Sequence, residues 1–111
     1  RKEGDAPAAI NSANKKVEAI YYTPFRAHVT MEPMNATVKI TGNRAEAWVP
    51  TQNGEGSHAA LSEATGIPLA NCEVYKLDSG CGLGRRGSTQ DFTTFAAKVA
   101  QQYPGVPSPP Y

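Results

Sequence analysis

Hydrophobic and polar positions alternate most clearly over residues 36–51 of the chain. The apolar members of this alternation are Val38, Ile40, Ala45, Ala47 and Val49. Gly42 and Asn43 lie between the two runs, and glycine at the first central position suits a type II′ turn. The pattern predicts a β-hairpin.

Three other segments have the composition of extended chain. Residues 17–25 are rich in β-branched and aromatic side chains and are interrupted at Pro24, so they predict a strand. Residues 28–35 predict a second extended piece, which is broken at Pro33. Residues 72–77 predict a third, short strand.

Capping residues and turn signals predict two helices in the first two thirds of the chain. A short helix is expected within residues 5–16, with Pro7 in its first turn. Ser57 is the predicted N-cap of the second helix, and Gly66 is its predicted stop.

A third helix is predicted near the C-terminal end from apolar residues spaced three and four apart. These residues are Phe92, Phe95, Ala96 and Val99. Thr89 or Asp91 is the expected N-cap, and Pro104–Gly105 ends the pattern.

This order of elements predicts an α+β fold, a mixed β-sheet with two or three helices packed on one face. Trp48 falls on the opposite face from Ala47 and Val49, and we expect it to belong to the core. The predicted organisation is an N-terminal segment at 1–16, a domain at 17–105 and a Pro-rich tail at 106–111.

Charge and composition exclude some classes of function. The 111 residues carry a formal charge of only +1, so a broad basic surface for nucleic acid is not expected. No apolar run approaches the ~20 residues of a membrane-spanning helix, and no secretory signal is present, so we expect a processed chain or an excised domain. Cys72 and Cys81 lack metal-ligand spacing and are predicted to be unpaired thiols.

Residues 78–90, here called the glycine loop, place four glycines and two adjacent arginines before the predicted last helix. Unpaired N–H groups at a helix start, with glycines that let a ligand approach, make a candidate anion site. Residues 82–87 match G-x-G-x-x-G, but no acidic residue follows Asp91 to bind a ribose, and no Walker Lys-Ser/Thr pair is present. From these residues alone, ligand contact and a plain surface turn both stay open.

Three motifs occur in an order that resembles a known family. They are "YYTPFRAHVTMEPMNAT", "AWVPTQNGEGSHAALSEATGIP" and "SGCGLGRRGSTQDF". The family is that of the molybdopterin-binding large subunits of xanthine oxidase type, in the branch of isoquinoline 1-oxidoreductase and membrane-bound aldehyde dehydrogenase. The resemblance covers residues 17 to 103 and implies that the chain is part of a larger molybdopterin-binding domain.

The resemblance implies a set of cofactor-binding residues, which are Gly80, Cys81, Gly82, Leu83, Gly84, Arg85, Arg86 and Gln52. The loop glycines would lie against the molybdenum–pterin cofactor, with their backbone amides near the molybdenum ligands. Arg85 and Arg86 would offer guanidinium forks to an anionic or pterin group. Gln52 would bond polar cofactor edges or the loop.

The chain departs from the family pattern at three positions. Cys81 replaces a glycine, Leu83 replaces a phenylalanine that borders the substrate pocket, and Arg26 stands where one branch has a glutamine near the metal. These departures leave the substrate class open.

His28 and Glu32 match the family's H-x-x-M-E-P positions, although both also have structural interpretations. His28 is expected to be a hydrogen-bonded structural histidine, and Glu32 is expected to pair with Arg26 or Arg44. His58, at the start of a helix, is expected at the surface.

The resemblance implies part of a molybdenum hydroxylase-type dehydrogenase that oxidises an aldehyde or N-heterocycle, with this chain forming one wall of the molybdopterin site. Implied partners are the remaining large-subunit polypeptide, a [2Fe-2S] subunit and a cytochrome c subunit, in or facing the periplasm. No residue matches the family's general-base glutamate, so no catalytic or metal-ligating residue is predicted and the chain alone should be inactive. The alternatives are a stand-alone anion- or phosphate-binding module without metal and a scaffold domain.

Overall fold

The computed structural model describes residues 3–24 and 28–107 of the chain. Its elements are α1 (Ala6–Ser12), β1 (Thr37–Thr41), β2 (Arg44–Val49), α2 (Gly54–Thr65), a 3₁₀ turn (Leu69–Asn71), β3 (Cys72–Lys76) and α3 (Asp91–Ala100). The predicted α+β class is confirmed. Among the described helices, none combines the length and the apolar content that a membrane span needs.

The sheet has the order β1-β2-β3, with β1 antiparallel to β2 and β2 parallel to β3. The predicted hairpin is confirmed, and Gly42 adopts the positive φ of 58° that its tight turn requires. α2 lies in the crossover that two parallel neighbours need. The C-terminal ends of β2 and β3 therefore lie side by side, and the glycine loop leaves the sheet at that edge.

Apolar side chains fill one face of the sheet beneath α2 and α3. The buried cluster comprises Ala36, Val38, Ile40, Ala45, Ala47, Val49, Leu61, Ala64, Ile67, Cys72, Phe92, Ala96, Ala97 and Ala100. The register pairs Val38 with Ala47 and Ala47 with Val74, so the alternating apolar residues of all three strands share this face. α1 buries none of its residues, so α2 and α3 are the two helices that cover the face.

Trp48 does not belong to this core. It lies half-buried on the outer face of the sheet, where its ring stacks on Tyr75 with centroids 5.2 Å apart. The prediction of a core tryptophan is wrong because no described element covers that face, and the neighbouring aromatic ring supplies the contact instead.

The predicted strand at 17–25 is absent in residues 17–24, and residue 25 lies outside the described residues. All of 17–24 are exposed, including Ile20 at 96%. β-propensity measures fit to a half-buried pleated surface, and no described strand provides that surface to this segment. Residues 28–36 likewise form no strand, although their second half is partly buried.

α2 begins earlier than predicted. Asn53, not Ser57, is the N-cap, and its side chain accepts a hydrogen bond from Gly56 N at 2.8 Å. Ser57 lies inside the helix and is fully buried, with Oγ donating to Gln90 Oε1 at 2.5 Å. The predicted stop at Gly66 is confirmed, because this residue is the left-handed C-cap with φ 74°.

α3 begins after Gln90, which makes no side-chain capping bond. Of the two predicted caps, Thr89 instead accepts a bond from Arg85, and Asp91 is the first helical residue. The helix ends at Ala100, and the chain then returns to the sheet where Gly105 N donates to the carbonyl of residue 40 at 2.7 Å.

Candidate functional site

Two parallel strands bring two segments of the candidate site together. Leu77 N donates to Val49 O at 3.0 Å where β3 and β2 end, so the chain beyond each strand leaves the sheet side by side. Further along, Gln52 N donates to Arg86 O at 3.1 Å. Sites built at the carboxyl ends of parallel strands are a common arrangement for ligand binding.

Residues 28–35 supply the third segment. A Cβ placed on Gly84 would lie 3.1 Å from Cδ2 of His28, and a Cβ placed on Gly80 would lie 3.0 Å from Cβ of Glu32. The three segments that carry the family resemblance therefore meet around the glycine loop.

Gly82 has room for no side chain. A Cβ there would overlap Oε1 of Gln52 and lie 2.6 Å from its Cδ. The Gln52 amide thus rests directly on the loop backbone, and the glycine at this position is needed for close approach rather than for a turn. Gln52 itself is exposed, so its amide donor and acceptor stay accessible.

The tip of the loop is a strained turn with an exposed apolar residue. Leu83 adopts φ 45° and is 59% exposed, and Gly84 adopts φ 85°. Arg85 N donates to Gly82 O at 2.8 Å and closes the turn. A non-glycine residue at positive φ costs about 1–3 kcal/mol and is concentrated at functional sites. The N–H groups of residues 82–84 donate to no acceptor within the described part of the chain.

The guanidinium of Arg86 is fully buried and bonded to backbone from every segment of the site. Nε donates to Cys81 O at 3.1 Å, and Nη1 donates to Pro50 O at 2.7 Å. Nη2 donates at 3.1 Å to the carbonyls of both Glu32 and Pro33. The Glu32 carboxylate lies 3.4 Å from the same nitrogen and balances its charge.

Glu32 binds the start of the glycine loop through hydrogen bonds. Its carboxylate accepts hydrogen bonds from Gly80 N and, at 3.1 Å, from Asn35 Nδ2. The bond from Gly80, followed by the bond from Asn35, lowers the pKa of Glu32, and the charge of Arg86 adds to this effect against partial desolvation. The carboxylate is therefore held in its charged form.

The two predicted partners of Glu32 do not explain this ion pair. Arg44 lies on the outer sheet face and pairs with Glu46 at 3.3 Å and Glu73 at 2.6 Å. The other predicted partner, Arg26, lies outside the described residues. The pairing with Arg44 is wrong because that strand position points away from the glycine loop.

Arg85 is also bound by protein acceptors. It forms a two-pronged pair with Asp91 at 2.9 and 2.5 Å and donates to Thr89 Oγ1 at 2.6 Å. The bonds from Arg85 lower the pKa of Asp91. Cofactor contact by Arg85 and Arg86 stays a prediction, but neither guanidinium is an open fork in this arrangement.

The cysteines occupy different environments, and both are free thiols. Cys81 is half-buried, and its Sγ accepts a hydrogen bond from Met31 N at 3.1 Å. Cys72 belongs to the core, where burial raises the pKa of its thiol. Cys81 therefore helps to join the loop to the 28–35 segment, and Cys72 is a buried apolar residue.

His58 was expected at the surface and has a structural role that sequence reasoning missed. Its Nε2 lies 3.1 Å from Leu69 O and 2.9 Å from Cys72 O, so the half-buried ring joins α2 to the start of β3. No local pattern signals this contact, because both acceptors are backbone carbonyls. His28, by contrast, is exposed beside Gly84.

The groove described near the loop does not include its tip. A groove of about 510 Å³ lies beside α3, between Met34 and Phe95, and Arg85 and Asp91 line it. Residues 82–84 take no part in its lining. Among the described residues, the loop tip therefore lies outside this groove, and Leu83 and Gly84 are exposed.

Comparison with known proteins identifies relatives. Residues 1–107 match the model of a family described as a molybdopterin cofactor-binding domain. The chain is 28% identical over 98 residues to the aldehyde oxidoreductase molybdenum-binding subunit PaoC of Escherichia coli strain K12, and equally to that of strain O157:H7. It is 24% identical over 83 residues to a nicotinate dehydrogenase subunit of Pseudomonas putida. These alignments cover 88% and 75% of this chain but only 13% and 7% of the relatives.

Proposed function

Since this chain belongs to the molybdopterin cofactor-binding domain family, we propose that it forms one wall of the molybdopterin site in a molybdenum hydroxylase-type dehydrogenase. The observation that carries the proposal is the convergence of three separate segments on the glycine loop. Such convergence around one exposed, strained tip is expected of a ligand site and is not required by a plain surface turn.

The residues present at the loop tip fit a cofactor with polar, acceptor-rich edges. The backbone N–H groups of residues 82–84 donate to no described acceptor, and Leu83 and Gly84 are exposed while Gly82 is half-buried. The amide of Gln52 lies against the same backbone, and the absence of a side chain at Gly82 permits this close approach. When bound, the cofactor would supply the redox centre for two-electron oxidation.

The eight predicted site residues divide into two groups by their contacts. We assign direct cofactor contact to Gln52, Leu83 and Gly84, which are exposed, and to Gly82, which is half-buried against the Gln52 amide. We assign support of the loop to the other four, whose polar groups already bond the protein, namely Gly80, Cys81, Arg85 and Arg86.

The chain is proposed to contribute only one wall because Leu83 and Gly84 at the loop tip are exposed. Cofactor sites normally enclose most of the ligand surface, so the remaining walls must come from other polypeptide. We propose that this is the rest of a large subunit, which transfers electrons to a [2Fe-2S] subunit and onward to a cytochrome c subunit. Two relatives named as subunits support an assembly, and the periplasmic location rests on the resemblance alone.

We propose an aldehyde or an N-heterocycle as the substrate class. The names of the relatives support this range, since one is an aldehyde oxidoreductase subunit and the other belongs to a nicotinate dehydrogenase. No residue of this chain is assigned a catalytic role, so the isolated chain is expected to be inactive.

The stand-alone anion module is less well supported. It depended on open guanidinium groups at Arg85 and Arg86. In the structure, Arg85 donates to Asp91 and Arg86 donates to the Pro50 carbonyl. The start of α3 is also occupied, because Asp91 Oδ1 accepts the Phe92 N–H at 3.0 Å. An anion would compete with this carboxylate.

The test compares two glycines of the same loop. A methyl group in Gly82→Ala would displace the flexible end of Gln52, whereas one in Gly87→Ala would enter open space. Both variants should be expressed in the native host and purified with every chain that accompanies them. Molybdenum content, the masses of the co-purifying chains and the melting temperature are then measured.

We expect molybdenum near one atom per wild-type complex, a several-fold lower content in Gly82→Ala and no change in Gly87→Ala, with similar melting temperatures throughout. Wild-type protein without molybdenum, purified as a single small species, would overturn the proposed function. Equal metal content in all three proteins would remove Gln52 and Gly82 from the proposed contact group.

A further inference from the structure

We propose that Arg86 is a positioning residue that acts on the cofactor only through the glycine loop, with Glu32 as its charge partner. The inference rests on the proposed function and changes the role of one of its residues. The family resemblance implied an arginine that binds an anionic or pterin group, whereas the geometry points to an arginine that binds protein backbone.

The bonds of Arg86 connect segments that no regular secondary structure joins. Its side chain reaches Cys81 O in the loop, Pro50 O at the end of β2, and two carbonyls in the 28–35 segment. Its own carbonyl accepts bonds from Gln52 N at 3.1 Å and Thr51 Oγ1 at 3.3 Å. One residue therefore fixes the spacing between the loop tip and the Gln52 amide.

The chemistry requires arginine at this position. Four carbonyl acceptors lie around one planar group, and a guanidinium offers five N–H donors in a fixed fork that matches them. A lysine ammonium has three donors on a flexible stem and cannot reach all four acceptors. Because both the guanidinium and Pro50 are completely buried, the Pro50 carbonyl that loses this donor would stay unpaired away from water.

Glu32 makes the buried charge tolerable and extends the network to Gly80. Its Oε2 lies 3.4 Å from Arg86 Nη2 and accepts the Gly80 N–H. The loop is thus held on both sides of its tip, at Gly80 by a carboxylate and at residue 86 by the guanidinium. The N–H groups of residues 82–84, between these two anchors, donate to no acceptor in the described part of the chain.

The experiment uses the complex purified from the native host and measures two quantities for each variant. One is amide hydrogen exchange in peptides from the glycine loop and from α2, and the other is molybdenum content. Arg86→Lys keeps the charge but not the fork, and Glu32→Gln keeps an acceptor for Gly80 but not the charge. Arg44→Lys, at an exposed ion pair on the outer sheet face, is the matched control.

For Arg86→Lys we expect roughly tenfold or greater acceleration of exchange in the loop, little change in α2, and a several-fold loss of molybdenum. Glu32→Gln should show the same pattern at smaller amplitude, and Arg44→Lys should match the wild type. A purely structural arginine would accelerate exchange in α2 and the loop alike. If Arg86→Lys does not fold, Glu32→Gln decides the question.

Loop exchange that is unchanged in both site variants would overturn the proposal. Faster loop exchange with full molybdenum content would also overturn it and would leave the proposed function standing. Wild-type protein without molybdenum would instead overturn the proposed function, while the exchange measurement would still show whether Arg86 fixes the loop.

Discussion

The inner face of the sheet and the glycine loop are held together by different interactions. Beneath α2 and α3 the contacts are apolar, with Val38, Ala47 and Leu61 completely buried. Around the loop the contacts are directional, because Arg86 donates to the Pro50 carbonyl and Glu32 accepts from the Gly80 N–H. Apolar burial is nearly non-directional, whereas a hydrogen-bonded network fixes individual atoms.

This difference shows how the chain separates stability from precision. An apolar core tolerates exchanges of similar volume, since shape and total burial decide its free energy. A loop whose tip must meet a ligand needs fixed backbone positions, and in the glycine loop the bonds of Glu32 and Arg86 fix them. Substitutions in the two regions should therefore differ in their effects on hydrogen exchange and on molybdenum content.

The largest expected effect on stability comes from the core. Leu61→Ala removes a fully buried side chain between α2 and the sheet and should lower the free energy of unfolding by about 2–5 kcal/mol. Leu61→Met, which conserves volume, should cost less than about 1.5 kcal/mol. Hydrogen exchange in the β1–β2 hairpin and in α2 measures both effects in the purified complex.

If the core and the glycine loop are held together separately, the stability lost in Leu61→Ala should be shared by the whole core. Exchange should accelerate together in the hairpin, α2 and α3, and molybdenum content at low temperature should stay at the wild-type level. Acceleration confined to the glycine loop in Leu61→Ala would contradict the separation of the two regions.

Periodicity was sufficient to predict most of the core. Alternation over residues 36–51 predicted the hairpin and its inward side chains, and helical spacing predicted α3. The strand predicted at 17–25 failed because strand propensity describes a surface that neighbours must complete. The start of α2 was misplaced because Gly54 and Gly56 are weak helix formers, which concealed the cap at Asn53.

The candidate site was predictable as a set of motifs but not as a set of roles. The resemblance placed Gln52 and the glycine loop in one site, and the structure brings them into contact. The local sequence pattern does not distinguish the role of Arg85 from that of Arg86. One is a partly exposed partner of Asp91 and the other is buried against distant carbonyls, so only the tertiary fold separates them.

An intermediate effect is expected at the start of α2, where the core and the site adjoin. Asn53→Ala removes the cap that accepts the Gly56 N–H and should cost about 1 kcal/mol, whereas Asn53→Ser should retain most of that stability. Exchange in the first turn of α2 measures the change.

Because Gln52 directly precedes this cap, fraying of the turn should also loosen the Gln52 amide on Gly82. We therefore expect a modest fall in molybdenum content in Asn53→Ala and none in Asn53→Ser. A cap loss that left both the first-turn exchange and the metal content unchanged would show that the two regions are independent at this point.

The smallest expected effect is a pH dependence confined to the loop. The folded-state pKa of Glu32 lies below its ordinary value of 4.5, so its contribution to stability is complete above that value and is lost as the pH falls through the lower, folded pKa. Loop exchange, corrected for the intrinsic effect of pH, should be constant between about pH 6 and 8 and should accelerate below about pH 4.5. Glu32→Gln should flatten this acid response, while Asp91→Asn should remove only the separate contribution of the pair with Arg85. An equally steep acid response in Glu32→Gln would assign the pH dependence to groups outside the Arg86 network, such as the Arg85–Asp91 pair, and would contradict the role of Glu32 as an anchor of the loop.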